Sequence, residues 1–217
     1  MFNKHPLPMY TGGGKKYFGN GRYKRVGWIE SSGTEYIDTG YKPTSVTEGF
    51  TAKFSLTTAD DDWNLMNMGG TSTDNYRFGF GGYKTTNFQA GFIMYGASSW
   101  GKLITSPAPQ LDVVYNVEYN YNSSNAMVLN GSIIASDLTT GSYSYQSNWC
   151  IFCQTYQTNH VRFMSGKLYG LIIYSGSNPV RNFIPVLDRQ TNKAGLYDLV
   201  TKTFYGNAGS GAFTYGD

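Results

Sequence analysis

The sequence predicts an all-β protein, two sheets packed face to face as a sandwich, preceded by an extended N-terminal arm. Three observations carry this. Aromatic residues make up 17% of the 217 residues and charged residues only 14%, a balance that suits strands. No window sustains apolar residues at the 3.6-residue spacing of a helix. Short alternating runs recur instead, about a dozen of them at roughly ten-residue intervals. Residues 26–217 contain no strong linker and read as one domain, a size common for a single all-β unit.

Residues 1–25 hold Pro6, Pro8, the run Gly12 to Gly14, Gly19 and Gly21, and cannot bury enough apolar surface to fold alone. They also hold Lys4, Lys15, Lys16, Arg22, Lys24 and Arg25 with no acid, so a basic arm precedes a neutral-to-acidic body. Two readings follow. The arm docks on a partner through these cations, or it packs back on its own domain through Met9, Tyr10, Tyr17 and Phe18.

The strands follow in order. Gly27–Glu30 and Glu35–Asp38 flank a Ser-Ser-Gly turn. Residues 49–57 alternate Phe50, Ala52, Phe54 and Leu56 on one face, the mark of a half-buried strand. Asp60, Asp61 and Asp62 form a turn before the alternating run 63–68. Runs at 75–81 and 87–95 lead to a Ser/Pro/Gly loop at 97–110 that contains Trp100. Residues 111–121 put Val113, Tyr115, Val117, Tyr119 and Tyr121 on one face. Apolar runs on either side of Asn130-Gly131 signal a tight hairpin. Residues 148–155 read as one buried strand, and Lys167–Tyr174 as the longest apolar strand. The stretch 181–216 reads as strand, turn, short strand, turn, short strand and glycine-rich tail. Such an ending belongs inside the sheet system and is expected to close against Trp28–Tyr41.

Four stretches together, YIDTGY (36–41), MVLNGSIIAS (127–136), SGKLYGLIIYSG (165–176) and the 181–216 segment RNFIPVLDRQTNKAGLYDLVTKTFYGNAGSGAFTYG, resemble the concanavalin A-like, laminin-G-like jelly-roll domains frequent in bacteriophage and gut-bacterial proteins. The resemblance covers about 26–216 and leaves the arm outside. It implies a two-sheet jelly roll. It leaves function open, because such relatives include glycan binders, glycosidases and virion proteins.

The residues themselves narrow the chemistry. Glycoside hydrolysis needs two carboxyls at a defined separation. Glu30, Glu35 and Asp38 lie across a turn and Glu118 stands alone in its strand, so no catalytic pair is legible and no enzyme is expected. The two histidines, His5 and His160, lack nearby partners. Cys150 and Cys153, at i and i+3 on a strand, point to opposite faces and read as small buried residues, so no zinc set is expected. The two cysteines give no disulfide framework, and the N-terminus has no secretory signal pattern. No cofactor is expected; Asp60, Asp61 and Asp62 are weak calcium candidates, read first as an exposed acidic turn. Trp100, Tyr83 and Trp63 are the aromatic candidates for glycan or partner contact.

These features lead to a non-catalytic virion accessory protein, a capsid decoration or head-fibre-like component docked through its arm. It would be made in the host bacterial cytoplasm and occur in several copies. Other virion proteins, capsid above all, are its expected partners, with host or mucosal glycans as further ones. Nucleic acid and membrane are not expected. The alternatives are a glycan-binding lectin-like module and a tail or receptor-binding accessory protein.

Overall fold

The computed structural model describes residues 16–44, 48–58, 62–68, 78–84, 90–95, 102–104, 110–120, 126–136, 147–156 and 159–217. Among these, every regular element is a strand. The larger sheet runs in the order β1 (Tyr17–Phe18), β2 (Tyr23–Arg25), β17 (Asn178–Asp188), β16 (Ser165–Ser175), β5 (Glu48–Leu56), β10 (Tyr115–Tyr119), β11 (Met127–Leu129) and β12 (Ser132–Ala135). β3 (Trp28–Ser32) pairs with β16 and with β20 (Thr214–Gly216), while β18 (Lys193–Asp198) pairs with β17 and with β19 (Thr203–Tyr205). The smaller sheet runs β4 (Ile37–Asp38), β13 (Cys150–Ile151), β6 (Asp62–Met68), β7 (Phe78–Lys84), β8 (Ala90–Tyr95) and β9 (Lys102–Ile104). A separate two-stranded ribbon joins β14 (Gln154–Tyr156) to β15 (Asn159–Val161).

Alternation explains how the sheets pack. Phe50, Phe54 and Tyr119 from the larger sheet meet Ile37, Leu65, Phe80 and Ile151 from the smaller one, all buried in a single core. The Phe54 and Phe80 rings cross the interface edge to face at 5.8 Å. Burying one fully enclosed Phe or Leu side chain is worth about 1.5–3 kcal/mol, so this layer holds the sandwich together. The all-β sandwich read from the sequence is therefore the observed architecture.

Two turns follow sequence chemistry closely. Asn130 and Gly131, at φ 48° and 81°, make the left-handed two-residue link between β11 and β12. At the C-terminus β17, β18 and β19 form a meander, and β20 adds to β3, so the chain does close against the segment after Trp28. Asp198 fastens the β18–β19 turn. It is fully buried and accepts from the Asn182 amide at 2.7 Å, the Val200 amide at 3.0 Å and the Thr201 hydroxyl at 2.7 Å.

The segment read as an arm behaves differently over its described part. Gly19, Asn20 and Gly21 take φ of 55°, 55° and 90°, a left-handed turn these residue types adopt at low cost. It folds β1 onto β2, and β2 pairs with β17 from Val186 to Asp188. The boundary drawn at 25/26 thus falls inside the sheet system. Phe18 joins Ile184, Val186 and Tyr197 in a second apolar cluster, with Tyr23, Leu199 and Phe204 packed against it. Lys4 and Lys15 lie outside the described residues.

Candidate functional site

The outer face of the larger sheet, turned away from the core, carries the most ligand-like grouping among the described side chains. Its construction begins with a bulge. In the β16–β5 register Leu168 faces Phe54 and Gly170 faces Lys53, so Tyr169 is the extra residue. Bulges re-aim side chains. Here the bulge lays the Tyr169 ring beside Lys53, whose Nζ is 5.4 Å from the ring centroid, with the hydroxyl 3.4 Å from Ser55 Oγ. One step along the same face, Lys167 Nζ sits 4.6 Å from the Trp28 ring centroid. Glu30, the register partner of Lys167, accepts a hydrogen bond from Thr214 Oγ1 at 3.2 Å. Trp28, Lys53, Lys167 and Tyr169 are each half-buried, so none of the four is sealed in the core. Glu118 stands on this face as well, and burial pushes its carboxyl above the usual range.

A second grouping lies on the far side of the smaller sheet. The sequence reads 148–155 as one strand with Cys150 and Cys153 on opposite faces. The structure corrects this. Phe152 adopts φ 70°, which breaks the strand and turns Cys153 back toward Cys150. The Phe152 ring is fully buried against Phe213 at 5.3 Å. Its amide donates to the Leu65 carbonyl and its carbonyl accepts from the Met164 amide, both at 2.8 Å, so the surroundings fix the unusual backbone. The ribbon then brings His160 over the pair. The two sulfurs and an imidazole nitrogen all lie within 4.8 Å of one another. His160, read as lacking partners, therefore has two. Thr155 Oγ1 donates to Cys150 Sγ at 3.1 Å, and the Tyr36 ring stacks on the imidazole at 4.0 Å. The hydrogen bond between the thiols lowers the Cys150 pKa and raises that of Cys153, and burial raises Cys153 further. Burial likewise lowers the His160 pKa.

The other sequence candidates fall as follows. Arg22 grips Asp188 in a two-pronged pair, Nε to Oδ1 at 3.0 Å and Nη2 to Oδ2 at 2.7 Å. This hydrogen bonding holds the Asp188 carboxyl well below the usual range. Lys24 Nζ is 3.6 Å from Asp217 Oδ1. Lys16 is exposed, and Arg25, in β2, bonds through its amide to the Lys16 carbonyl at 2.8 Å. Trp100, Asp60 and Asp61 lie outside the described residues, as do the side chains of Trp63, Tyr83 and Asp62. Sequence reasoning missed the row from Trp28 to Lys53. Alternation in GFTAKFSL and SGKLYG already sets Lys53, Ser55 and Lys167 opposite the core residues. The bulge and the β3–β16–β5 pairing, which bring them together, leave no local mark.

No protein-family model matches the chain, and no curated protein matches it. Among solved structures it is similar to the CBM40 module of the Ruminococcus gnavus IT-sialidase, with a TM-score of 0.52 and 16% identity over 70% of this chain and 91% of that one. The same module bound to α2,3 sialyllactose matches at a TM-score of 0.51 with the same identity and coverage. At this identity the likeness concerns the fold, a β-sandwich that the two chains share.

Proposed function

We propose that this chain is a non-catalytic carbohydrate-binding module whose ligand sits on the outer face of the larger sheet around Tyr169. The observation that carries the reading is the bulge at Tyr169. It presents an aromatic ring beside Lys53, its hydroxyl 3.4 Å from the buried Ser55 Oγ, next to the Trp28–Lys167 pair. A sugar ring offers an apolar face to stack on an aromatic and hydroxyls to meet directional polar groups, so this combination suits it. The two ammonium groups favour glycans that carry acidic sugars. The sandwich shared with the CBM40 module, whose ligand in one structure is α2,3 sialyllactose, supports the reading as an analogy of fold.

The separation of two carboxylates on this face, Glu30 and Glu118, supports binding without hydrolysis. Glu30 and Glu118 are three strand steps and four residues apart in register. Strand spacing puts them roughly 20 Å from each other, against the roughly 5–10 Å that hydrolysis requires. The particle-docking reading gains nothing from the described residues. Residues 17–18 and 23–25 are paired into the sheet, and Arg22 and Lys24 have acidic partners within the chain.

A glycan array with the wild-type chain, Tyr169→Ala and Trp100→Ala tests the proposal. Retention of a defined glycan set, lost in Tyr169→Ala and kept in Trp100→Ala, is the expected pattern. A folded wild type that retains no glycan removes the function. Loss in Trp100→Ala alone moves the site to the stretch of chain around Trp100.

A further inference from the structure

The cysteine–histidine cluster takes no part in the proposed glycan face, and its chemistry points elsewhere. Its ligand atoms come from three separate pieces of chain: Cys150 from β13, Cys153 from the bend after Phe152, and His160 from β15. Ile37 and Ile151 face the core, so their neighbours Asp38 and Cys150, paired across β4 and β13, point to the opposite side of the smaller sheet. The ribbon lies over that side, with Thr155 and its register partner His160 turned toward Cys150.

We propose that Cys150, Cys153 and His160 bind a zinc ion that clips the β14–β15 ribbon to the smaller sheet. The donor set is one that selects this ion, since two sulfurs and an imidazole suit a borderline-soft metal and not calcium or magnesium. The spacing is close to what coordination needs. Tetrahedral zinc with ordinary bond lengths sets its ligand atoms about 3.5–3.8 Å apart. These three lie within 4.8 Å before any ion draws them in. Charge is balanced as well. Binding releases two thiol protons to solvent, and two thiolates with one dication leave no net charge in a place where Cys150 and Cys153 are only 2% and 0% exposed. Outer contacts are already in position. Thr155 donates to the Cys150 sulfur and Tyr36 fixes the plane of the imidazole, the kind of support that orients metal ligands.

The test is a Co²⁺ titration of the full chain, reduced and freed of metal, followed by displacement with Zn²⁺. The expected result is one Co²⁺ per chain with thiolate-to-metal charge-transfer absorption, bleached by Zn²⁺. Cys153→Ser should abolish the band. His160→Ala should weaken binding by more than the roughly 10–100-fold that loss of an outer contact costs. Should Cys153→Ser not fold, alkylation of the wild type decides, with Zn²⁺ expected to protect both thiols. A folded, reduced wild type with no charge-transfer band overturns the proposal. So do thiols that Zn²⁺ leaves unprotected, or unchanged affinity in His160→Ala. A freshly purified chain two hydrogens lighter in mass would instead make Cys150 and Cys153 a disulfide pair, and zinc would be excluded.

Discussion

The two ends of the larger sheet treat their outer face in opposite ways. At the β17–β18–β19 end the hairpin of β1 and β2 covers it. There Phe18, Ile184, Val186 and Tyr197 are buried in a second apolar cluster, and the Tyr23 ring stacks on Phe204 at 5.2 Å. At the β16–β5 end no such cover is described, and Lys53, Lys167 and Tyr169 keep part of their surface in solvent. The same two-residue alternation serves both ends. What differs is which residues it presents, apolar at one end and aromatic with lysine at the other. A short hairpin thus packs over one end of this sheet, and the other end, where the glycan is proposed to bind, keeps half-buried lysine and aromatic side chains.

Breaking the sealed end should cost the most. Asp198→Ala removes a fully buried acceptor that holds the β18–β19 turn and leaves the Arg181 guanidinium, 3.7 Å away, without its carboxylate. A loss of about 3–5 kcal/mol in urea unfolding is expected. Phe18→Ala empties the hairpin's contribution to the cluster and should cost about 3–4 kcal/mol, with early proteolysis of residues 17–25. The ion pair that staples the hairpin gives a smaller effect, confined to acid. Asp188 has its pKa depressed in the folded chain, so its stabilisation is complete above the ordinary carboxylate value of about 4 and fades as pH falls toward the lower native value. The stability difference between wild type and Asp188→Asn should therefore shrink below about pH 4. The open end should respond least. Tyr169→Ala, at a half-exposed position, should change stability by no more than about 0.5 kcal/mol while affecting ligand retention. A large loss of stability there would mean that Tyr169 is packing and not a ligand contact.

How far the sequence could be read follows from how local each cause is. The Asn130-Gly131 hairpin, the inward Phe50–Ala52–Phe54–Leu56 row and the C-terminal meander each rest on turn chemistry or alternation within a few residues. They were legible. Residues 17–25 were not, because glycine and basic residues make up most of the segment and its Phe18 and Tyr23 gain meaning only against Ile184, Val186 and Phe204. The thiol–imidazole cluster was hidden for a related reason. A phenylalanine in the left-handed region is disfavoured locally, and only the burial of Phe152 and its two backbone hydrogen bonds impose it. The proposed glycan face needed three strands to be paired in one register before Trp28, Lys167, Tyr169 and Lys53 became neighbours.

The proposed glycan face is tested most directly by where a glycan touches the chain. Titration of the isotope-labelled protein with an acidic glycan that the array retains, followed by amide chemical shifts, reads this residue by residue. Saturable shifts centred on Lys53, Ser55, Lys167 and Tyr169, with the Phe18–Tyr23 hairpin silent, are the predicted result. Shifts confined to the smaller sheet, or to the sealed end, would contradict it.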